Sequence, residues 1–114
     1  MNVLKNRRDF LRAARAPRRA VGSMVVQARR RAPDEAADGI RIGFTCSKKV
    51  GNAVARNRAK RRLREAARLV LPTLGHDGWD YVLIGRHQVT AERSFEALKT
   101  DLEQALRKLH GDTT

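Results

Sequence analysis

The sequence predicts an α/β fold, a two-layer sandwich in which one small sheet has helices packed on it. Three observations lead there. Apolar residues alternate in two short runs, 20–29 and 40–46, and fill a third, 79–85. They recur at helical spacing in the middle of the chain and again near its end. Pro17, Pro72 and the glycines at 75 and 78 punctuate these segments. A length of 114 residues fits a single domain, 1–114, with a small core.

Taken in order, Asn6 followed by Asp9 has the form of a helix-opening cap, and Phe10, Leu11 and Ala14 give a short apolar side among Arg7, Arg8, Arg12 and Arg15. Pro17 ends this helix, placing it at about residues 6–15. Residues 20–29 form a strand, with Met24, Val26 and Ala28 on one side and Ser23, Val25 and Gln27 on the other; a further short strand has room near 18–23. The polar segment 32–39 reads as the loop of a hairpin. In IRIGFTC, Ile40, Ile42, Phe44 and Cys46 point one way and Arg41, Gly43 and Thr45 the other, which makes Cys46 a small core residue.

The organising stretch is 48–68, with nine Lys or Arg and one acid, Glu65. Gly51 permits a sharp turn and Asn52 caps a helix of about five turns. Ala55, Ala59, Leu63, Ala66 and Val70 share one face, widened by Ala67, Leu69 and Leu71. Asn57, Arg61, Arg64 and Arg68 share the opposite face, flanked by Arg56, Arg58, Lys60 and Arg62. Pro72 and the Gly75–Gly78 region stop this helix. Trp79 to Gly85 is the most apolar run and an inner strand, with Val82 and Ile84 on one side and Tyr81 and Leu83 on the other. A closing helix carries Phe95, Leu98, Leu102, Ala105 and Leu109, capped by Ser94 or Thr90. If the strands before and after the basic helix are parallel neighbours, that helix is a crossover, for which right-handedness is the general rule.

The net charge of +13 is unevenly placed. Residues 1–31 carry ten basic groups and one acid, whereas 72–114 carry five and seven. A directed cationic face follows, and with it a polyanionic partner. Like charges three and four apart weaken a helix, so phosphates explain the basic stretch better than solvation alone. One cysteine rules out an intrachain disulfide and fits a cytoplasmic location. No apolar run is long enough for a membrane span, and the opening MNVLKNRRDF lacks the core of a secretory signal.

Protein-borne catalysis and a protein metal site find little support. Asp77 and Asp80 flank Trp79 at a loop-to-strand junction, where turn formation accounts for them. His76, His87 and His110 lack ligand spacing, and no phosphate-loop, dinucleotide or nucleophile-elbow motif is present. Lys48 and Lys49 beside Gly51 and Asn52 mark an anion-attracting helix start. With five aromatic residues in all, a broad base-stacking platform is not visible, although Phe10 on the first helix is a candidate to stack on a nucleotide.

SKKVGNAVARNRAKRRLREAAR, from Ser47 to Arg68, resembles the signature of the protein subunit of bacterial ribonuclease P. The NRRDF helix, IGFTCSKK, DYVLIGR and the final helix stand in the matching order, so the resemblance covers about 100 of the 114 residues. It implies a left-handed βαβ crossover carrying the basic helix, against the general rule. It implies an RNA-binding domain that contacts the catalytic RNA and the 5′ leader of precursor tRNA, with magnesium held mainly by the RNA and no catalytic side chain here.

Carried over by motif, RNA binding falls to Lys48, Lys49, Gly51, Asn52, Arg56, Asn57, Arg58, Lys60, Arg61, Arg62, Arg64 and Arg68. Leader binding falls to Phe10, Arg12 and Gln27. The family often has an aromatic where this chain has Ala14, and a tyrosine or similar ring where it has Gln27, which shifts weight from stacking to hydrogen bonding and charge. No obligate protein partner and no membrane are expected. A ribosomal or chaperone-like RNA-binding module is the alternative, and a protein nuclease a more distant one.

Overall fold

The computed structural model describes residues 2–35, 38–46, 51–86 and 88–111. Its elements are β1 (Asn2–Val3), α1 (Arg7–Ala14), β2 (Arg18–Ala20), β3 (Met24–Arg30), β4 (Arg41–Cys46), α2 (Ala53–Leu74), β5 (Trp79–Gly85), α3 (Val89–Glu92) and α4 (Phe95–Leu109). The five strands form one mixed sheet in the order β1-β4-β5-β3-β2. β4 runs parallel to β5, with Phe44 opposite Leu83, and α2 is the crossover between them. β1 is parallel to β4, whereas β3 is antiparallel to β5 and β2 antiparallel to β3.

Alternation along the strands sorts two apolar clusters onto the two faces. Met24, Val26, Ala28, Ile42, Tyr81 and Leu83 pack under α2 and α4 with Leu63, Ala66, Val70, Leu98, Leu102 and Leu106. On the other face Val82 and Ile84 meet Leu4, Phe10 and Ala13. α1 therefore sits across the sheet from the two long helices. A Cβ on Gly43 of β4 would stand 2.5 Å from Cε1 of Phe10, so the missing side chain is what lets that ring lie flat on the strand.

The structure departs from the sequence reading at several places, and in α1 it is Ala13 that is buried while Leu11 and Ala14, read as its apolar side, are exposed because the helix docks by a different stripe. Strands β3 and β4 are not a hairpin, because β5 lies between them and takes both as neighbours. The most apolar strand gains most from pairing on both edges, and Arg31 and Gly39 both meet the residue that precedes it. There Arg31 N–H donates to Gly78 O and Gly78 N–H to Gly39 O, each at 2.9 Å. Pro72 does not stop α2, which runs on to Leu74. The stop is Gly75, where a Cβ would meet the Leu71 carbonyl at 2.7 Å. Asn6 begins α1 without a side-chain cap bond. Leu69 is 43 % exposed, since it lies at the margin of the buried stripe set by Ala59, Leu63, Ala66 and Val70. The caps at Asn52 and Ser94 are as expected, accepting from Ala55 N at 3.0 Å and from Ala97 N at 3.2 Å.

Candidate nucleic-acid interface

Helix α2 is held by one face and free on the other. Ala59, Leu63, Ala66, Ala67, Val70 and Leu71 are buried against the sheet and α4, and their small size at three of six positions lets the helix approach closely. That anchoring turns Asn57, Arg58, Arg61, Arg64 and Arg68 outward, where all five are exposed. Arg56, Lys60 and Arg62 lie half-buried along the flanks. At the start of the helix Gly51 adopts φ +134°, a conformation natural only to glycine, and Asn52 closes the first turn. Lys48 and Lys49 lie outside the described residues, as does His87.

Two shallow concavities flank this surface. One, of about 470 Å³, is lined by Val54, Asn57, Lys60, Arg61 and Arg64. The other, of about 360 Å³, is lined by Arg58, Arg61, Arg62, Glu65 and Phe95. Arg61 borders both and forms the ridge between them. The guanidinium of Arg64 lies over the Phe44 ring, 5.5 Å from its centroid, which fixes the side chain while leaving its N–H groups in solvent.

The basic residues of α2 are not equivalent. Among the described residues, Arg56, Arg58, Lys60, Arg61 and Arg64 make no ion pair. Arg68 pairs with Glu65 one turn back, an exposed contact that raises the arginine pKa and lowers that of the carboxyl. Arg62 is spent inside the protein. Its Nε donates to Thr90 O at 3.1 Å and its Nη2 to Arg93 O, closing the carbonyl end of α3.

The three expected leader-binding residues come together on the α1 face of the sheet, with unequal access. Gln27 is 3 % exposed and forms part of the floor. Phe10 is half-buried over Gly43, its ring engaged in packing. The Arg12 side chain is 41 % exposed, and its Nη1 donates to Glu35 Oε1 at 2.9 Å.

Beside them lies a network that sequence reasoning missed. Asp80, expected in a turn, is fully buried in β5 and takes Arg31 Nη1 on Oδ1 at 2.7 Å. Arg41 grips both its oxygens, Nε to Oδ1 at 2.8 Å and Nη2 to Oδ2 at 2.7 Å. Arg29 Nη1 stands 3.6 Å from Oδ2. Arg41 also faces Asp9 of α1 at 3.7 Å, and its pKa is raised chiefly by its bond to Asp80. Glu35 binds Arg29, Arg12 and the Ala32 amide, and the Arg29 hydrogen bond above all pulls its carboxyl down to about 2.

A second missed cluster gathers at the end of α4. His76 and His110 stack at 3.6 Å beside Trp79, and Tyr81 Oη lies 2.6 Å from His110 Nε2 and accepts from His76 N–H at 2.8 Å. Burial pushes the Tyr81 phenol up to about 12. Burial likewise raises the thiol of Cys46, which is half-buried and not fully enclosed in the core as the alternation of β4 suggested. The bonds that tie each network together were not legible in the sequence, because Asp80 meets Arg31 and Arg41 across 49 and 39 positions and Tyr81 meets His110 across 29.

Comparison with known proteins gives one answer throughout. Residues 1–110 match the family model described as Ribonuclease P. The ribonuclease P protein component of Ruegeria pomeroyi is 70 % identical over 110 residues, spanning 96 % of this chain and 87 % of that one. That of Caulobacter vibrioides is 49 % identical over 109 residues, spanning 96 % and 71 %. Among solved structures, the RNase P protein of Thermotoga maritima superposes with TM-score 0.76 at 27 % identity, over 95 % of this chain and 97 % of that one. The Staphylococcus aureus protein gives 0.74 at 28 %, over 95 % and 94 %. With its mixed sheet, its crossover helix turned basic side out and these relatives along nearly its whole length, the chain belongs to the ribonuclease P protein family.

Proposed function

We propose that this chain is the protein subunit of ribonuclease P, working in the ribonucleoprotein that removes the 5′ leader of precursor tRNA, and that the outward face of α2 is its contact with the catalytic RNA. One observation carries the reading. Arg58, Arg61 and Arg64 are exposed, mutually repelling and without a carboxylate partner among the described residues, on a helix whose other face is locked into the core. Such a surface is stable only moderately by itself and becomes favourable when phosphates replace the missing counter-charges. The guanidinium fork suits paired phosphate oxygens. Gly51, Asn52, Arg56, Asn57 and Lys60 extend the contact along the helix, with Lys48 and Lys49 before it, and the α1 face bearing Phe10, Arg12 and Gln27 receives the leader.

Phosphodiester cleavage in this reading belongs to the RNA and to magnesium held there. The donors of the chain do not fit a divalent cation: the carboxylates of Asp80, Glu35, Asp101 and Asp9 each face arginine. Among the described residues no group of three or more His, Cys, Asp or Glu converges. In this reading no chemical step runs through a side chain, and the protein contributes phosphate neutralisation and substrate affinity. No helix among the described residues is long and apolar enough to cross a membrane, and we place the protein in the cytoplasm with its RNA partners.

The test is reconstitution with the matching catalytic RNA. Wild-type protein is expected to improve leader removal at modest magnesium. Replacing Arg58, Arg61 and Arg64 by Ala is expected to flatten the slope of log affinity against log salt by about 2 to 3, the weight of three phosphate contacts, and to weaken assembly at low magnesium. An unchanged slope in a folded variant would overturn the assignment of this face.

A further inference from the structure

The α1 face holds four guanidiniums, Arg12, Arg29, Arg31 and Arg41, against three carboxylates, Asp9, Glu35 and Asp80. Two of the carboxylates have structural work: Asp80 is fully buried among arginines, and Asp9 is buried at the foot of α1. Glu35 differs. It sits in the connection after β3, and its two oxygens have separate partners. Oε2 takes Ala32 N–H at 2.5 Å and Arg29 Nη2 at 2.8 Å, which holds the turn to its own strand. Oε1 takes only Arg12, reaching across to α1. The turn does not need this second contact, yet it neutralises the most exposed cation of the expected leader cleft.

We propose that Glu35 tunes the affinity of leader binding: its Oε1 holds Arg12 in the free protein as an internal competitor, which a correctly placed leader phosphate displaces. The inference rests on the reading that the α1 face receives the leader. The exchange is chemically even. A phosphodiester offers Arg12 the same anionic oxygens as the carboxylate does, and a pair in which the cation is 41 % exposed is held weakly against water. A strand that brings a phosphate to Arg12 wins the arginine, and one that does not meets a neutralised surface. Glu35 thus lowers the affinity of a leader strand that reaches this face, and mature tRNA, which brings no leader there, is untouched by it.

The test is Glu35→Gln in the reconstituted holoenzyme, since the amide keeps an acceptor for Ala32 N–H and removes the charge. Binding of precursor tRNA and of mature tRNA lacking the leader is measured across a decade of salt. The expected result is a precursor slope steeper by about 0.7, equal to about fivefold tighter binding per tenfold fall in salt, with mature tRNA unchanged. Arg12→Ala in the Glu35→Gln background should abolish that gain. If Glu35→Gln lowers the melting temperature markedly, Glu35→Asp provides the second reading, since its shorter side chain keeps the charge but retreats from Arg12, and the precursor slope should again steepen. Unchanged or weaker precursor binding in folded variants, with normal assembly and leader removal, would overturn the inference alone. A wild-type holoenzyme that does not distinguish precursor from mature tRNA would instead overturn the leader reading on which it rests.

Discussion

Asp80→Asn is the sharpest probe of how the fold supports its RNA-binding surfaces. Asp80 is fully buried, and the side chain of Arg31, which like Arg41 meets it at 2.7 Å, is 1 % exposed. The amide matches the carboxylate in size but removes the negative charge and turns one acceptor into a donor facing Arg31 or Arg41. Breaking one side of a buried, hydrogen-bonded ion pair costs about 3–5 kcal/mol, because the remaining cations stay buried without compensation. A chain of this size has a total stability of roughly 6–17 kcal/mol, so this single atom change takes a large share. At about 4 °C per kcal/mol the melting temperature falls by roughly 12–20 °C. Urea unfolding should show a lower midpoint with an unchanged m-value. Asp77→Asn, in the exposed turn three residues earlier, should change stability by less than about 0.5 kcal/mol. A loss under about 1 kcal/mol for Asp80→Asn, at constant m, would refute the claim that Asp80 organises Arg29, Arg31 and Arg41.

Three further outcomes follow from the same geometry. Gly43→Ala inserts a methyl into the Phe10 ring and should cost about 1–3 kcal/mol in thermal unfolding; if the clash is the cause, Phe10→Ala removes most of that penalty in the double variant. Glu35, lowered from 4.5 to about 2, contributes stability that is fully present above pH 4.5 and is lost as pH falls through about 2. The stability difference between wild type and Glu35→Gln should therefore be flat at neutral pH and shrink across that acid window, with a plateau of about 1–2 kcal/mol after solvent screening. Finally, Arg61→Ala should leave the melting temperature unchanged while lowering the salt slope of RNA binding by about 0.7–0.9, whereas Arg62→Ala should cost about 1–2 kcal/mol of stability through the freed Thr90 and Arg93 carbonyls.

Periodicity made much of this molecule legible. The alternation in β3, β4 and β5 separated Met24, Val26, Ala28, Ile42, Phe44, Tyr81 and Leu83 from Val82 and Ile84, because each strand has one face against α2 and α4 and a different one toward α1. The buried stripe of α2 was visible for the same reason, and Leu69 misled only because it lies at the edge of the stripe. Strand order was not legible. Nothing local distinguishes a hairpin loop at 31–40 from a connection that passes over the end of β5, since the difference lies in which strand fills the gap. β1 has two residues and α3 four, too short for any period to show. Asp80 was misread because a carboxylate next to Gly78 and Trp79 looks like turn chemistry until Arg31 and Arg41 arrive from 49 and 39 positions away.

The same distance effect bears on the binding surface. A count of basic residues treats Arg62 and Arg61 as equal neighbours on a charged helix, yet one closes the end of α3 and the other stands between two open concavities. What separates them is the supply of acceptors within reach. Arg29, Arg31, Arg41 and Arg93 each meet a carboxylate delivered by another segment, and those arginines hold the sheet and its connections together. Along the outward side of α2, among the described residues, Glu65 is the one carboxylate in an ion pair, and Arg68 takes it. The protein thus uses one residue type in two opposite settings, and the placement of its few acids decides which arginines keep an unpaired charge at the surface. Adding a carboxylate beside Arg61 would accordingly weaken RNA binding as surely as removing the arginine, without disturbing the core face beneath it.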